Sequence, residues 1–210
     1  MKIPSNATDG CQGPAALFAL MAEQLGVAST TQARALGVSR AVERRLQREG
    51  ALAEALPGVL AAGGVRLSFP ATAMAAALRP GVIAVSHGTA ARLHRLAGFA
   101  DHRGLDVVGE RGAHLSAKLP VTRHYSRGPV REHVGRIGPI PVTSLPLTLA
   151  LIAPTTSRAT LIGALADALG RGVPAAAIRS VAQQWQEPGR SGPGLLLDLL
   201  DELAARTRVA

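Results

Sequence analysis

Apolar residues at positions 17, 20, 21 and 25 recur at helical spacing, and Gly26 closes that run, so residues 15–25 predict an amphipathic helix. Ser29-Thr30-Thr31-Gln32 has the form of a capping box, which opens a short helix from Thr30 to Leu36 that stops at Gly37. Ser39 is placed to cap a third helix running to Glu49 and ended by Gly50. Residues 51–62, ALAEALPGVLAA, predict two short strands around the Pro57-Gly58 turn. Three short helices, a four-residue turn between the last two and a hairpin make a winged helix-turn-helix pattern over residues 14–65.

Beyond residue 65 the pattern changes. Pro70 to Leu78 and His87 to Leu96 predict helices. Short apolar or β-branched runs at Val82–Val85, Leu105–Val108, Val121–Tyr125, Val134–Ile137 and Ile140–Thr143 predict strands. Helical patterns follow at Leu145–Ala153, Thr156–Gly170, Ala175–Trp185 and Gly194–Arg206. The expected fold class is therefore α+β: a winged helix-turn-helix over residues 14–65, then a mixed domain over 66–210 with a small, mainly antiparallel sheet and C-terminal helices.

Composition refines this picture. The chain has 210 residues and is 47% hydrophobic but 2% aromatic, so its core must be built from Ala, Leu and Val. Cys11 is the single cysteine, which excludes an internal disulfide and a cysteine-type zinc site. No run approaches the roughly 20 apolar residues of a spanning helix. The expectation is a soluble cytoplasmic protein with no membrane contact and a loose tail over about residues 1–13.

The formal charge is +9, carried almost wholly by arginine, since Lys2 and Lys118 are the only lysines. It is unevenly spread: residues 1–65 and 151–210 each carry a net +1, and residues 66–150 carry +7 together with all six histidines. The third predicted helix sits in a nearly neutral region, yet its arginines are aligned. At about 100° per residue, Arg40, Arg44 and Arg48 fall within about 80° of one another, with Gln47 beside them and Val42 and Leu46 nearly opposite. Arg45 lies on the border, within reach of a phosphate. Ser39, Arg40, Arg44, Arg45, Gln47 and Arg48 are thus the candidate DNA-binding residues, because guanidinium forks read guanine edges or phosphates while the helix back stays buried. The alternative is a solvated arginine-rich face in which Glu43 and Gln47 are simply polar neighbours.

A second basic group comprises Arg111, Lys118, Arg123, His124 and Arg127, with Tyr125, Arg131 and Arg136 close by. It is a candidate for secondary phosphate contacts or, equally, a solvated sheet face. Enzymatic chemistry finds little footing. His87, His94, Asp101 and His102 match no metal-ligand spacing, and no metal or cofactor is expected. Ser86 is expected to cap the helix at His87 rather than to pair with it, since neighbours on a helix do not face each other. The histidines are expected at helix starts or on a wet surface, and Trp185 as an anchor between the last helices.

The stretch GVASTTQARALGVSRAVERRLQREGALAEALPGVLAAGG, with SHGTAARLHRLAGF at 86–99, PVTS at 141–144 and LADALGRG at 165–172, resembles the AbiEi-type antitoxins of type IV toxin–antitoxin systems. The likeness covers about residues 14–200 and rests on the order and spacing of individually soft motifs. It implies a bacterial regulator linked to phage defence. Its winged helix would bind inverted repeats in its own promoter as double-stranded DNA, and its C-terminal domain would counteract a nucleotidyltransferase toxin, without a stable complex being required. A winged-helix regulator or a protein–protein module with no toxin is the alternative. This sequence departs from the pattern in three places. The hairpin is neutral, with Glu54 where a cation is usual. Leu147 and Leu151 stand where a charged pair follows PVTS, a replacement that a buried ion pair tolerates. Residues 189–206 resemble a linker that in some relatives precedes a very-short-patch-repair-like endonuclease, and no nuclease domain with metal-binding carboxylates is expected here.

Overall fold

The structure, a computed structural model, describes residues 13–109, 121–125, 128–186 and 191–209. Of the described residues 51% are helical and 18% are in strands, an α+β composition. It divides into two compact units at Arg79/Pro80.

The first unit begins with α1 (Pro14–Glu23), β1 (Val27–Ser29), α2 (Thr30–Ala35) and α3 (Arg40–Arg48). A hairpin of β2 (Leu52–Leu56) and β3 (Val59–Ala62) follows, and α4 (Phe69–Ala77) completes it. The capping box forms as read: Ser29 Oγ accepts from the Gln32 N–H at 3.1 Å, and Gln32 Oε1 accepts from the Ser29 N–H at 2.8 Å. Ser39 Oγ accepts from the Val42 N–H and starts α3. Gly37, with φ +82°, makes the turn between α2 and α3, a conformation that glycine adopts without strain.

The strand β1 is absent from the sequence reading. It pairs antiparallel with β3, Val27 opposite Ala61 and Ser29 opposite Val59, to give a three-stranded sheet in the order β1-β3-β2. All three of its residues are buried. The core joins Leu17 and Met21 of α1, Ala33 of α2, Leu46 of α3, and Leu52 and Leu60 of the hairpin. The unit boundary lies at residue 79 rather than 65 because α4 packs on β1 and β2, burying Ala71, Ala73, Met74, Ala75 and Ala76.

The second unit is a sheet backed by helices. Its strands are β4 (Val82–Val85), β5 (Asp106–Gly109), β6 (Thr122–Tyr125), β7 (Val134–Ile137) and β8 (Ile140–Thr143), in the order β6-β5-β4-β8-β7. The expectation of a mainly antiparallel sheet is corrected: β4–β5 and β7–β8 are antiparallel, whereas β4–β8 and β5–β6 are parallel. β7 and β8 are joined by the two-residue turn Gly138-Pro139. The parallel pairs join segments that are distant in sequence or linked through undescribed residues.

The helices are α5 (His87–Leu93), α6 (Leu145–Ile152), α7 (Arg158–Gly170), α8 (Ala175–Gln184) and α9 (Ser191–Val209). In α6, LPLTLALI is apolar nearly all round, as a helix enclosed by others must be. It packs on α5, α7, α8 and α9. Leu147 is fully buried there and Leu151 packs against the same core, so both leucines serve packing. Trp185 lies against this core with its ring edge-on to His133, centroids 5.0 Å apart.

Candidate functional site

The α3 helix carries its charge as the sequence predicts. Arg40, Arg44, Arg45 and Arg48 are exposed, Gln47 is half-buried, and Leu46 is buried on the opposite side. Burial of Leu46 with half-burial of Val42 fixes the helix's rotation, so the guanidinium groups cannot turn inward without exposing core. Arg45 stands apart from the other arginines: its Nε lies 3.7 Å from Glu49 Oε1, in a pair exposed on both sides. Ser39 serves as the cap of α3, its hydroxyl bound to the backbone.

A groove of about 310 Å³ runs between α2, α3 and the hairpin. Arg40, Arg44 and Gln47 line it, as do Thr30, Arg34, Glu43, Glu54 and Leu60. Gly58 ties the hairpin turn to α2, its carbonyl accepting from the Thr30 N–H at 2.9 Å. Arg34, Glu43 and Glu54 were not picked out as site residues from the sequence. Arg34 precedes the arginine-rich segment on another helix, and only the fold brings it alongside. A second, open depression is lined by Ala41, Arg44, Gln47 and Arg48, so Arg44 and Gln47 belong to both surfaces.

Of the second basic group, only Arg123 and His124 of the candidate residues lie among the described residues. Arg111, Lys118 and Arg127 lie outside the described residues. Arg123 and His124, on β6, are both half-buried. The Arg123 guanidinium donates to the Gly81 carbonyl at 2.8 Å and stacks over Tyr125, 5.1 Å from the ring centroid. Arg136 turns back to the Pro139 carbonyl.

His124 belongs to a polar cluster that the sequence reading did not foresee. Asp106 on β5 accepts from His124 Nε2 at 3.0 Å through one carboxylate oxygen and from His102 Nε2 at 2.9 Å through the other. An ionised carboxylate only accepts, so both imidazoles carry their protons on Nε2. The Thr89 hydroxyl accepts from the Asp106 N–H at 2.6 Å, and His87 stacks on His124 with centroids 3.5 Å apart. Gly88 and Gly104 leave room for the His102 ring, which an added Cβ at either would strike.

Ser86 occupies the N-cap position of α5, as expected, but does not cap it through its side chain. Its hydroxyl instead lies 3.0 Å from His87 Nδ1. His87 has φ +47°, outside helical geometry, and that rotation lets neighbouring side chains meet. His87 and His94 do not converge either: His94 caps the end of α5 and its Nε2 bonds the Thr143 carbonyl at 2.7 Å.

Burial drives the His87 pKa from its ordinary 6.5 down to about 3, helped by the charge of His124 and opposed by Asp106. Burial raises the Asp106 carboxyl, but the His124 hydrogen bond and the charges of His124, His102 and His87 outweigh it and hold it below the usual range. His94 is lowered by burial and by Arg171, against its bond to Thr143. The stacked rings of His87 and His124 cannot both aim an in-plane lone pair at one ion. Among the described residues no group of three His, Cys, Asp or Glu is placed to hold a metal.

No protein-family model matches the chain, and no curated protein matches it. A solved structure from Mycobacterium tuberculosis, the RV2827C protein, is similar over 95% of this chain and 85% of its own. Identity is 16% and the TM-score 0.44, a likeness that carries no functional inference. Among the described residues no helix is long and apolar enough to cross a membrane.

Proposed function

We propose that the first unit is a winged helix-turn-helix that binds double-stranded DNA, with α3 entering the major groove and the β2–β3 hairpin as its wing. One observation carries this reading: Arg40, Arg44 and Arg48 are exposed on a single face of α3 whose opposite side, through Leu46, is locked into the core. By the sequence resemblance, the protein is the antitoxin of a type IV toxin–antitoxin system that represses its own operon through inverted repeats and counteracts a nucleotidyltransferase toxin. The wing contributes little attraction, because Glu54 opposes phosphate. With four phosphate contacts the salt slope would be about −3.6, from roughly −0.9 per contact, shallow for a repressor; two copies on inverted half-sites would raise occupancy.

The test is a gel shift with the chain's own upstream region and a scrambled duplex at two salt concentrations, using the full chain and Arg44→Ala. The reading expects a preference for the upstream duplex and a loss of roughly 1–3 kcal/mol in Arg44→Ala if Arg44 reads a base. Equal loss on both duplexes would limit Arg44 to phosphate contact. No binding to either duplex would favour the alternative, a protein–protein module, which the carboxylates in the groove also suit.

A further inference from the structure

The groove between α2, α3 and the hairpin holds charges of both signs that do not pair. Arg34, Arg40 and Arg44 line it beside Glu43 and Glu54. Among the described residues no ion pair joins either carboxylate to those arginines, while Arg45 and Glu49 do pair elsewhere on the helix. Glu43 Oε2 is buried and accepts no hydrogen bond. A carboxylate oxygen shut away from water without a donor costs free energy, and rotation of the Glu43 carboxylate toward a donor held in the groove would remove that cost.

A carboxylate only accepts and a guanidinium only donates. An acceptor set among donors is complementary to a surface that presents one amine beside ring-nitrogen and carbonyl acceptors. In the major groove both C·G and A·T carry such a set, but only C·G puts the amine at one edge, on cytosine N4, with both acceptors, O6 and N7, on guanine where one guanidinium takes them bidentately; A·T sets its N6 amine between N7 and O4. Phosphate does not fit at Glu43, since like charges repel there. Thymine O4 in place of the amine would face the carboxylate with another acceptor, so the same group also rejects the wrong base.

We infer that Glu43 is a specificity-determining residue of the DNA-binding surface, accepting from the N4 amine of a cytosine while Arg40 or Arg44 takes the paired guanine. This rests on the DNA-binding reading above. Glu43 is one helical turn from both Arg40 and Gln47, so the three side chains can address neighbouring base pairs from one face.

The experiment selects binding sites for the full chain from a randomised duplex pool. It then measures fluorescence anisotropy on the selected duplex and its single-base-pair variants, for the natural chain, Glu43→Gln, Glu43→Asp and Arg44→Ala. One C·G position should weaken binding at least tenfold when changed to T·A. Glu43→Gln should reduce that discrimination below threefold while preferences at other positions persist. Glu43→Asp, which keeps the charge on a shorter arm, should weaken binding at the same position. A uniform change in affinity for every duplex in Glu43→Gln would overturn the assignment, as would selection of A·T at that position. If the natural chain selects an Arg44-dependent site and both Glu43 variants keep all its preferences, only the role of Glu43 falls. If no sequence is enriched and Arg44→Ala changes nothing, the DNA-binding reading fails and this inference with it.

Discussion

Acid should loosen the second unit through His87. The folded state holds this imidazole neutral because it is partly buried and stacked on His124, with its pKa near 3 against 6.5 when exposed. A lowered folded pKa means that the unfolded chain binds the extra proton first. The associated stability is complete above about pH 6.5 and is lost progressively as pH falls toward 3. A tenfold change in proton affinity is about 1.4 kcal/mol, so the whole loss is roughly 5 kcal/mol, of which about 2 kcal/mol is gone by pH 5. Asp106, also lowered, adds a further loss only below the ordinary carboxylate range. Trp185 is the only tryptophan and packs in the second unit's core, so its fluorescence reports that unit's unfolding by itself. In urea its midpoint should drop by about 1 M between pH 7 and pH 5, taking a slope near 2 kcal/mol per M. The comparison is His87→Asn, since asparagine tolerates a left-handed φ and does not titrate. That variant should lose the share of the pH dependence due to His87 and keep that of His94, whose pKa is also lowered by burial and which acts with the same sign. An unchanged midpoint drop in His87→Asn would show that His87 is not the group responsible.

Two further outcomes test the packing argument. Ser29→Ala removes the acceptor for the Gln32 N–H and should destabilise the first unit by about 1 kcal/mol, read as a lower midpoint in far-ultraviolet circular dichroism. Leu147→Ala should cost the second unit about 2–5 kcal/mol, because a fully buried side chain in an enclosed helix leaves a cavity; a Trp185 midpoint within error of the natural chain's would refute it.

What local chemistry specifies was legible from the sequence. Ser29 with Gln32, Ser39 before α3, and Pro57-Gly58 between β2 and β3 act within a few residues, so their hydrogen bonds or backbone preferences are written in adjacent letters. The rotation of α3 was likewise encoded, because Val42 and Leu46 fix which side faces the core. Tertiary structure alone decided the rest. β1 is three residues long, too short to show alternation, and is a strand only because β3 lies beside it. The parallel pairing of β5 with β6 brings Asp106 to His124, and the left-handed turn at His87 brings that ring over His124. Arg34, Glu43 and Glu54 share a groove because α2, α3 and the hairpin fold together. Such meetings depend on long-range backbone pairing, which residue type and spacing do not specify, whereas caps, turns and the faces of helices are settled by neighbours along the chain.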